Sequence, residues 1–192
     1  MYNLKRIAAY SLVILVMMMT IFLSPQTAYA TSRGQEVTIS YKTFKKVSRK
    51  IGVTMRVDKT CGLTRNEFIY MIKKFQNDYG GVLKRNAGFI WDMEQKYAIN
   101  ALFYCGIYGL ESGYGKCGWS HNYTGMMGCR FKSDKEGIEA TFKNLKKNYI
   151  NKGRKTILKI GPKYCETWSW PWKIKSVMKF IIKPSCQKSK KH

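Results

Sequence analysis

The chain is 192 residues long and carries 35 Lys+Arg against 11 Asp+Glu, a formal charge of +24. That length fits one domain with short appendages, and an apolar share of 45% with five Trp excludes wholesale disorder despite the charge. Only two histidines are present, His121 and His192, so a three-histidine zinc site cannot be assembled within the chain; no metal or cofactor is expected.

Residues 1–30 follow the plan of an export signal: Lys5 and Arg6 lead into an apolar run from Ile7 to Leu23, then Pro25 and Ala28-Tyr29-Ala30. Cleavage after Ala30 is expected. Read otherwise, the 17 positions of that run sit at the lower edge of a membrane anchor. The apolar stretch 97–110 ends in a carboxylate and reads as a buried helix, so no span is expected after cleavage. The product is then a cationic protein outside the cell, secreted or held at the wall, where its counterions are polyanions. Six cysteines, at 61, 105, 117, 129, 165 and 186, permit disulfides in an exported chain, and none of the roughly fifteen pairings is selected. Cys105 reads equally as a reduced core residue.

Residues 31–60 read as a basic N-terminal arm. Val37, Ile39 and Tyr41 alternate as in a short strand, followed by Lys42, Lys45, Lys46, Arg49 and Lys50. The domain proper is expected over 61–183. Thr64-Arg65-Asn66-Glu67 forms a capping box that opens a helix carrying Phe68, Ile72, Phe75 and Tyr79, ended by Gly80-Gly81. A second helix, apolar nearly all round, is predicted from near Trp91 to Leu110; such a helix must be enclosed by others. Glycines from 113 to 128, interleaved with Tyr114, Trp119 and Tyr123, predict a loop or hairpin lobe. Ser133-Asp134-Lys135-Glu136 is another capping box, opening a helix with Ile138, Phe142, Leu145 and Tyr149 on one face and closed by Lys152-Gly153. A turn is expected around Gly161-Pro162. Trp168, Trp170 and Trp172 follow, and Pro171 admits a last helix along Ile174, Val177, Met178 and Ile181, stopped before Pro184. Residues 184–192 form a basic tail. The fold class is mainly α.

Among the acidic residues one is oddly placed. Glu111 directly follows the apolar helix and precedes Ser112-Gly113-Tyr114-Gly115, where a buried helix should meet a glycine loop. A carboxyl held partly away from water has its charged form disfavoured, so it can keep its proton near neutral pH and serve as a general acid. The alternative is a carboxylate satisfied by loop amides or paired with Lys116. In glycoside cleavage such an acid protonates the leaving oxygen, and nearby aromatics offer flat faces for sugars.

The run from Gly109 to Ile150 resembles the bacterial endo-β-N-acetylglucosaminidase family of peptidoglycan hydrolases, in the lysozyme superfamily. The carriers are Glu111 to Gly115 for its Glu-Ser-Gly-x-Gly signature, Asn122 to Gly125 for its Asn-aromatic-x-Gly segment, and Phe131 to Ser133 for the stretch that opens a helix. Tyr164-Cys165-Glu166-Thr167 is similar to the closing Tyr-Ala-Thr-Asp segment, and the match spans roughly 90–182. The resemblance implies a lysozyme-like helical domain with a small loop lobe, cleavage of peptidoglycan glycan strands, Glu111 as general acid, and Ser112, Asn122, Tyr123 and Tyr164 as substrate-positioning residues. In that family the second carboxylate has no fixed motif. Asp134 and Glu136 have helix-capping explanations, which leaves Glu139 as the candidate base.

Partners are thus peptidoglycan strands and anionic wall polymers, bound by a monomer; no recognisable nucleic-acid motif accompanies the charge. A lytic transglycosylase, which can work with one glutamate and could serve a secretion or conjugation apparatus, is the first alternative. A muramidase and a non-catalytic cationic wall-binding module are further ones.

Overall fold

The computed structural model describes residues 38–185; the expected export signal and the tail from residue 186 onward lie outside them. Seven α-helices follow one another in the described residues: α1 (Tyr41–Lys50), α2 (Arg65–Lys74), α3 (Val82–Tyr97), α4 (Ala101–Glu111), α5 (Asp134–Asn148), α6 (Ile157–Tyr164) and α7 (Trp170–Ile182), with 3-10 turns at Ile150–Lys152 and Lys183–Ser185. No strand is formed among them, only isolated bridges at Arg56–Thr156 and Trp119–Asn122. The mainly helical class expected from the sequence is what the structure has.

Helix α4 is the central rod. Every residue from Ala101 to Gly109 is buried. Two glycines let α7 lie directly against it: a Cβ at Gly106 would stand 2.7 Å from Met178 Cγ, and one at Gly109 would stand 2.7 Å from Val177 Cγ1. On another side Tyr104 stacks on Phe142 of α5 at 5.2 Å between ring centroids. Burial of aromatic and aliphatic side chains of this size is the main favourable term in the fold.

Both capping boxes start helices where expected. Thr64 and Glu67 satisfy each other's backbone amides. Ser133 accepts from the Glu136 amide, while the Glu136 carboxylate takes the amide of Lys132 instead. The helix predicted from Trp91 to Leu110 is in fact two. Ala98 adopts a left-handed φ of 51° that ends α3, and Asn100 accepts from the Phe103 amide to begin α4. The buried carboxylate of Glu94 completes that start by accepting from the Ala101 amide at 2.7 Å, and a helix N-terminus favours a negative group there.

The arm is also different from expectation within the described residues. Tyr41 begins a helix rather than ending a strand, because Ser40 caps it and Phe44, Val47 and Ile51 supply an inward stripe at helical spacing. Residues after it thread between α4 and α6: Asn100 N–H donates to Val57 O, Val57 N–H to Lys155 O, and Leu158 N–H to Val53 O. The turn expected at Gly161-Pro162 is inside α6, where Pro162 sits in the second half of an eight-residue helix. Helix α2, expected to run to Gly80-Gly81, stops at Lys74.

Candidate active site

The C-terminal end of α4 delivers Glu111 into the loop lobe. Ser112 caps the helix: its amide and hydroxyl both donate to Tyr108 O, and its oxygen accepts from Gly115 N–H at 2.8 Å. The chain therefore turns sharply immediately after Glu111. Further along, Ser120 (φ 49°) and His121 (φ 58°) sit in the left-handed region between the paired Trp119 and Asn122, a tight hairpin turn.

Asn122 holds the next stretch. Its side-chain amide donates to the carbonyls of Met126 and Cys129, and its oxygen accepts from Met126 N–H. This brings Gly125 against the acid, where a Cβ would stand 3.7 Å from Glu111 Oε2. Thr124 ties the same stretch to two helices, through a hydroxyl pair with Thr141 at 2.8 Å and by accepting from the Tyr164 hydroxyl at 2.6 Å. Tyr164 in turn stacks on Trp170, centroids 4.7 Å apart. The indole N–H of Trp170 donates to Glu111 Oε1 at 2.8 Å. Burial, and secondarily the Glu111 charge, push the Tyr164 hydroxyl well above the usual phenol range, so it stays a neutral donor.

The carboxyl is more open than the sequence suggests. Glu111 is solvent-exposed, because the apolar positions behind it are covered by α7 and α5 while its own side faces the loop. It takes part in no ion pair among the described residues. Lys116, the expected competitor, lies over the Tyr79 ring at 4.3 Å. Tyr164 also borders a polar cavity of about 510 Å³, with Arg154, Pro162, Lys163, Cys165 and Glu166.

The remaining expected residues separate into two groups. Ser112, Asn122 and Tyr164 are gathered around Glu111, but their polar atoms are engaged with the loop's own backbone. Tyr123 packs on Tyr108 and donates to Asp134. Burial works against the Asp134 charge, yet hydrogen bonds from His121 and Arg85 hold its carboxyl below the usual range. Glu139 is brought elsewhere. It faces the end of α3, accepting from Lys96 Nζ at 2.5 Å and the Tyr97 hydroxyl at 3.0 Å, and the Lys96 bond holds its carboxyl below the usual range. It shares no contact with Glu111. Trp170 is the residue that the sequence marked only as one aromatic of three; Trp168 and Trp172 are exposed and lean on each other at 5.8 Å. The five cysteines of the described residues are all free thiols, so no disulfide joins them.

No family model matches the chain and no curated protein matches it. Solved structures do. The fold superposes on S. aureus autolysin E with a TM-score of 0.58 at 14% identity, covering 77% of this chain and 79% of that one. Two further structures of the same protein match equally: a catalytic mutant in complex with the disaccharide NAG-NAM, and a complex with the muropeptide NAM-L-Ala-D-iGlu. At that identity the likeness establishes the fold, a lysozyme-like helical domain.

Proposed function

We propose that this chain is an exported peptidoglycan hydrolase that cleaves glycan strands, acting as an endo-β-N-acetylglucosaminidase with Glu111 as proton donor. The observation that carries the reading is a carboxyl at the end of a buried helix, oriented by the Trp170 indole and in no ion pair among the described residues, in the fold of a protein solved with the disaccharide NAG-NAM and a muropeptide. A glycan laid across the loop lobe would cover the carboxyl and exclude water from it. Its proton then passes to the glycosidic oxygen as the bond to the anomeric carbon breaks.

A second reading is favoured by the placement of Glu139. An inverting hydrolase needs another carboxylate about 6.5–9.5 Å from the acid to activate water, and Glu139 is engaged with Lys96 and Tyr97 instead. In a lytic transglycosylase the sugar's own hydroxyl attacks the anomeric carbon, and one glutamate suffices to protonate the leaving oxygen and take the hydroxyl proton.

Digestion of purified walls tests both. Glu111→Gln is expected to lose nearly all lysis while keeping its melting temperature; unchanged lysis defeats the assignment. Mass analysis of the products then divides the readings: a reducing N-acetylglucosamine end supports the hydrolase, an anhydro-muramic end the transglycosylase.

A further inference from the structure

The outer face of α1 carries Lys42, Lys45, Lys46, Arg49 and Lys50, positions i, i+3, i+4, i+7 and i+8 of one helical stripe. All five are exposed, and α1 contains no acidic residue. None of the five enters an ion pair among the described residues. From Lys42 to Lys50 the row runs about 12 Å at a rise of roughly 1.5 Å per residue. Lys50 also stands on the rim of a cavity of about 270 Å³, and Lys59 stands on the same rim, extending the row past the helix end. Arg56, a third rim cation, is neutralised by Asp58. Helices α2 and α5 are mixed by comparison, with Glu67 in the first and Asp134, Glu136 and Glu139 in the second, while α6 and α7 also lack acidic residues but carry only two and three lysines.

Like charges spaced one turn apart destabilise a helix by a few tenths of a kcal/mol per pair, and no carboxylate among the described residues pairs with them. The apolar side of α1 is already spent on the core through Val47, so this helix has no free greasy face to insert into a membrane. Four of the five cations are lysines, compact point charges that meet a phosphate oxygen from any direction, without the bidentate geometry that an arginine fork imposes on carboxylate and phosphate alike. We propose that this stripe, with Lys59, is a binding site for a linear phosphodiester polyanion, the phosphate-bearing polymer of a bacterial wall. The choice of a phosphate-bearing wall polymer rests on the wall-hydrolase reading; the preference for a linear polyanion rests on the charge row alone. The same cavity rim includes Asn100 and Leu102, at the opposite end of α4 from Glu111, so a bound polymer would leave the acid open to glycan.

The test is co-sedimentation of the full chain with purified walls, before and after acid removal of their phosphodiester polymers. The variant is Lys42→Gln/Lys45→Gln/Lys46→Gln/Arg49→Gln, and Lys173→Gln/Lys175→Gln/Lys179→Gln/Lys183→Gln is a control of equal charge change. The stripe variant should need at least about tenfold more protein for half-saturation, with a shallower dependence on salt, since fewer counterions are released per bound chain. Polymer removal should weaken the parent chain to the same degree and leave the variant unmoved. Equal loss by the control, or no loss by the stripe variant, overturns the site. Loss confined to vesicles of anionic phospholipid, with wall binding intact, overturns the choice of partner. If the fourfold variant fails to fold, the pairs Lys42→Gln/Lys46→Gln and Lys45→Gln/Arg49→Gln carry the same comparison at half the effect. Cleavage of soluble glycan fragments should be unchanged in every stripe variant, so a failure here is distinct from a failure of Glu111.

Discussion

Glu94 and Glu111 stand at the two ends of the same buried helix and are held in opposite ways. Glu94, at the start of α4, is sealed from solvent and accepts from the amides of Cys61 and Ala101, the Cys61 thiol and the Gln95 side chain. Glu111, at the far end, is open to solvent and receives one bond from Trp170. Helix polarity sharpens the contrast, since a negative charge is welcome at an N-terminus and unwelcome at a C-terminus. Burial therefore separates a carboxyl committed to structure from the one proposed as the proton donor. The buried one is consumed by structure, and the one left with unspent oxygens is available to a substrate.

The largest effect expected from breaking this pairing is functional. Glu111→Gln should lower wall lysis by about 10²–10⁴-fold, measured by turbidity, with thermal unfolding unmoved. Glu94→Ala should do the reverse: two buried amides lose their acceptor, at a cost of about 2–4 kcal/mol in urea unfolding, while the specific activity of the folded fraction persists. A sharper version uses pH. Burial raises the Glu94 carboxyl above its ordinary value even against its amide bonds. For a raised carboxyl the stabilising contribution is fully present below the unfolded-state value and is lost as pH rises through the folded one. The stability of the parent chain relative to Glu94→Gln should accordingly decline as pH climbs above about 4.5, and a pH-independent difference would contradict it.

Smaller effects follow from the partners. Trp170→Phe removes the donor to Glu111 and part of the Tyr164 stack; kcat should fall about tenfold with KM little changed, and stability by roughly 1–2 kcal/mol. Glu139→Gln breaks a half-exposed pair with Lys96 and should cost less than about 1 kcal/mol, with lysis within a few-fold of the parent. A loss as deep as that of Glu111→Gln would restore Glu139 as the base.

How much of this was legible follows from where the information lies. Thr64-Glu67 and Ser133-Glu136 announce helix starts because a cap is a local contract between residues three apart. The place of Glu111 at the end of a buried helix was legible because an all-apolar run ending in a carboxyl before glycines stands out within one stretch. The break at Ala98 to Asn100 was hidden by continuous apolar character on both sides, although Asn100 is a capping residue. Lysines diluted the inward stripe of α1 enough to suggest an arm. The Trp170 bond spans 59 residues and depends on where α7 begins, which no local pattern states. Asn122, Ser112 and Tyr164 were expected to position substrate, and their hydrogen bonds show them as ties within the loop, a role that no local pattern states.

The free thiols have a practical consequence. Burial pushes the thiols of Cys61 and Cys105 far up from their ordinary values, which starves an alkylating dye of thiolate at those positions. Cys117 stands exposed in the loop that follows the acid. With Cys186 changed to serine, a maleimide fluorophore added to the folded protein should settle first at 117, giving an optical readout of the loop's encounter with a saccharide without engineering a new attachment point.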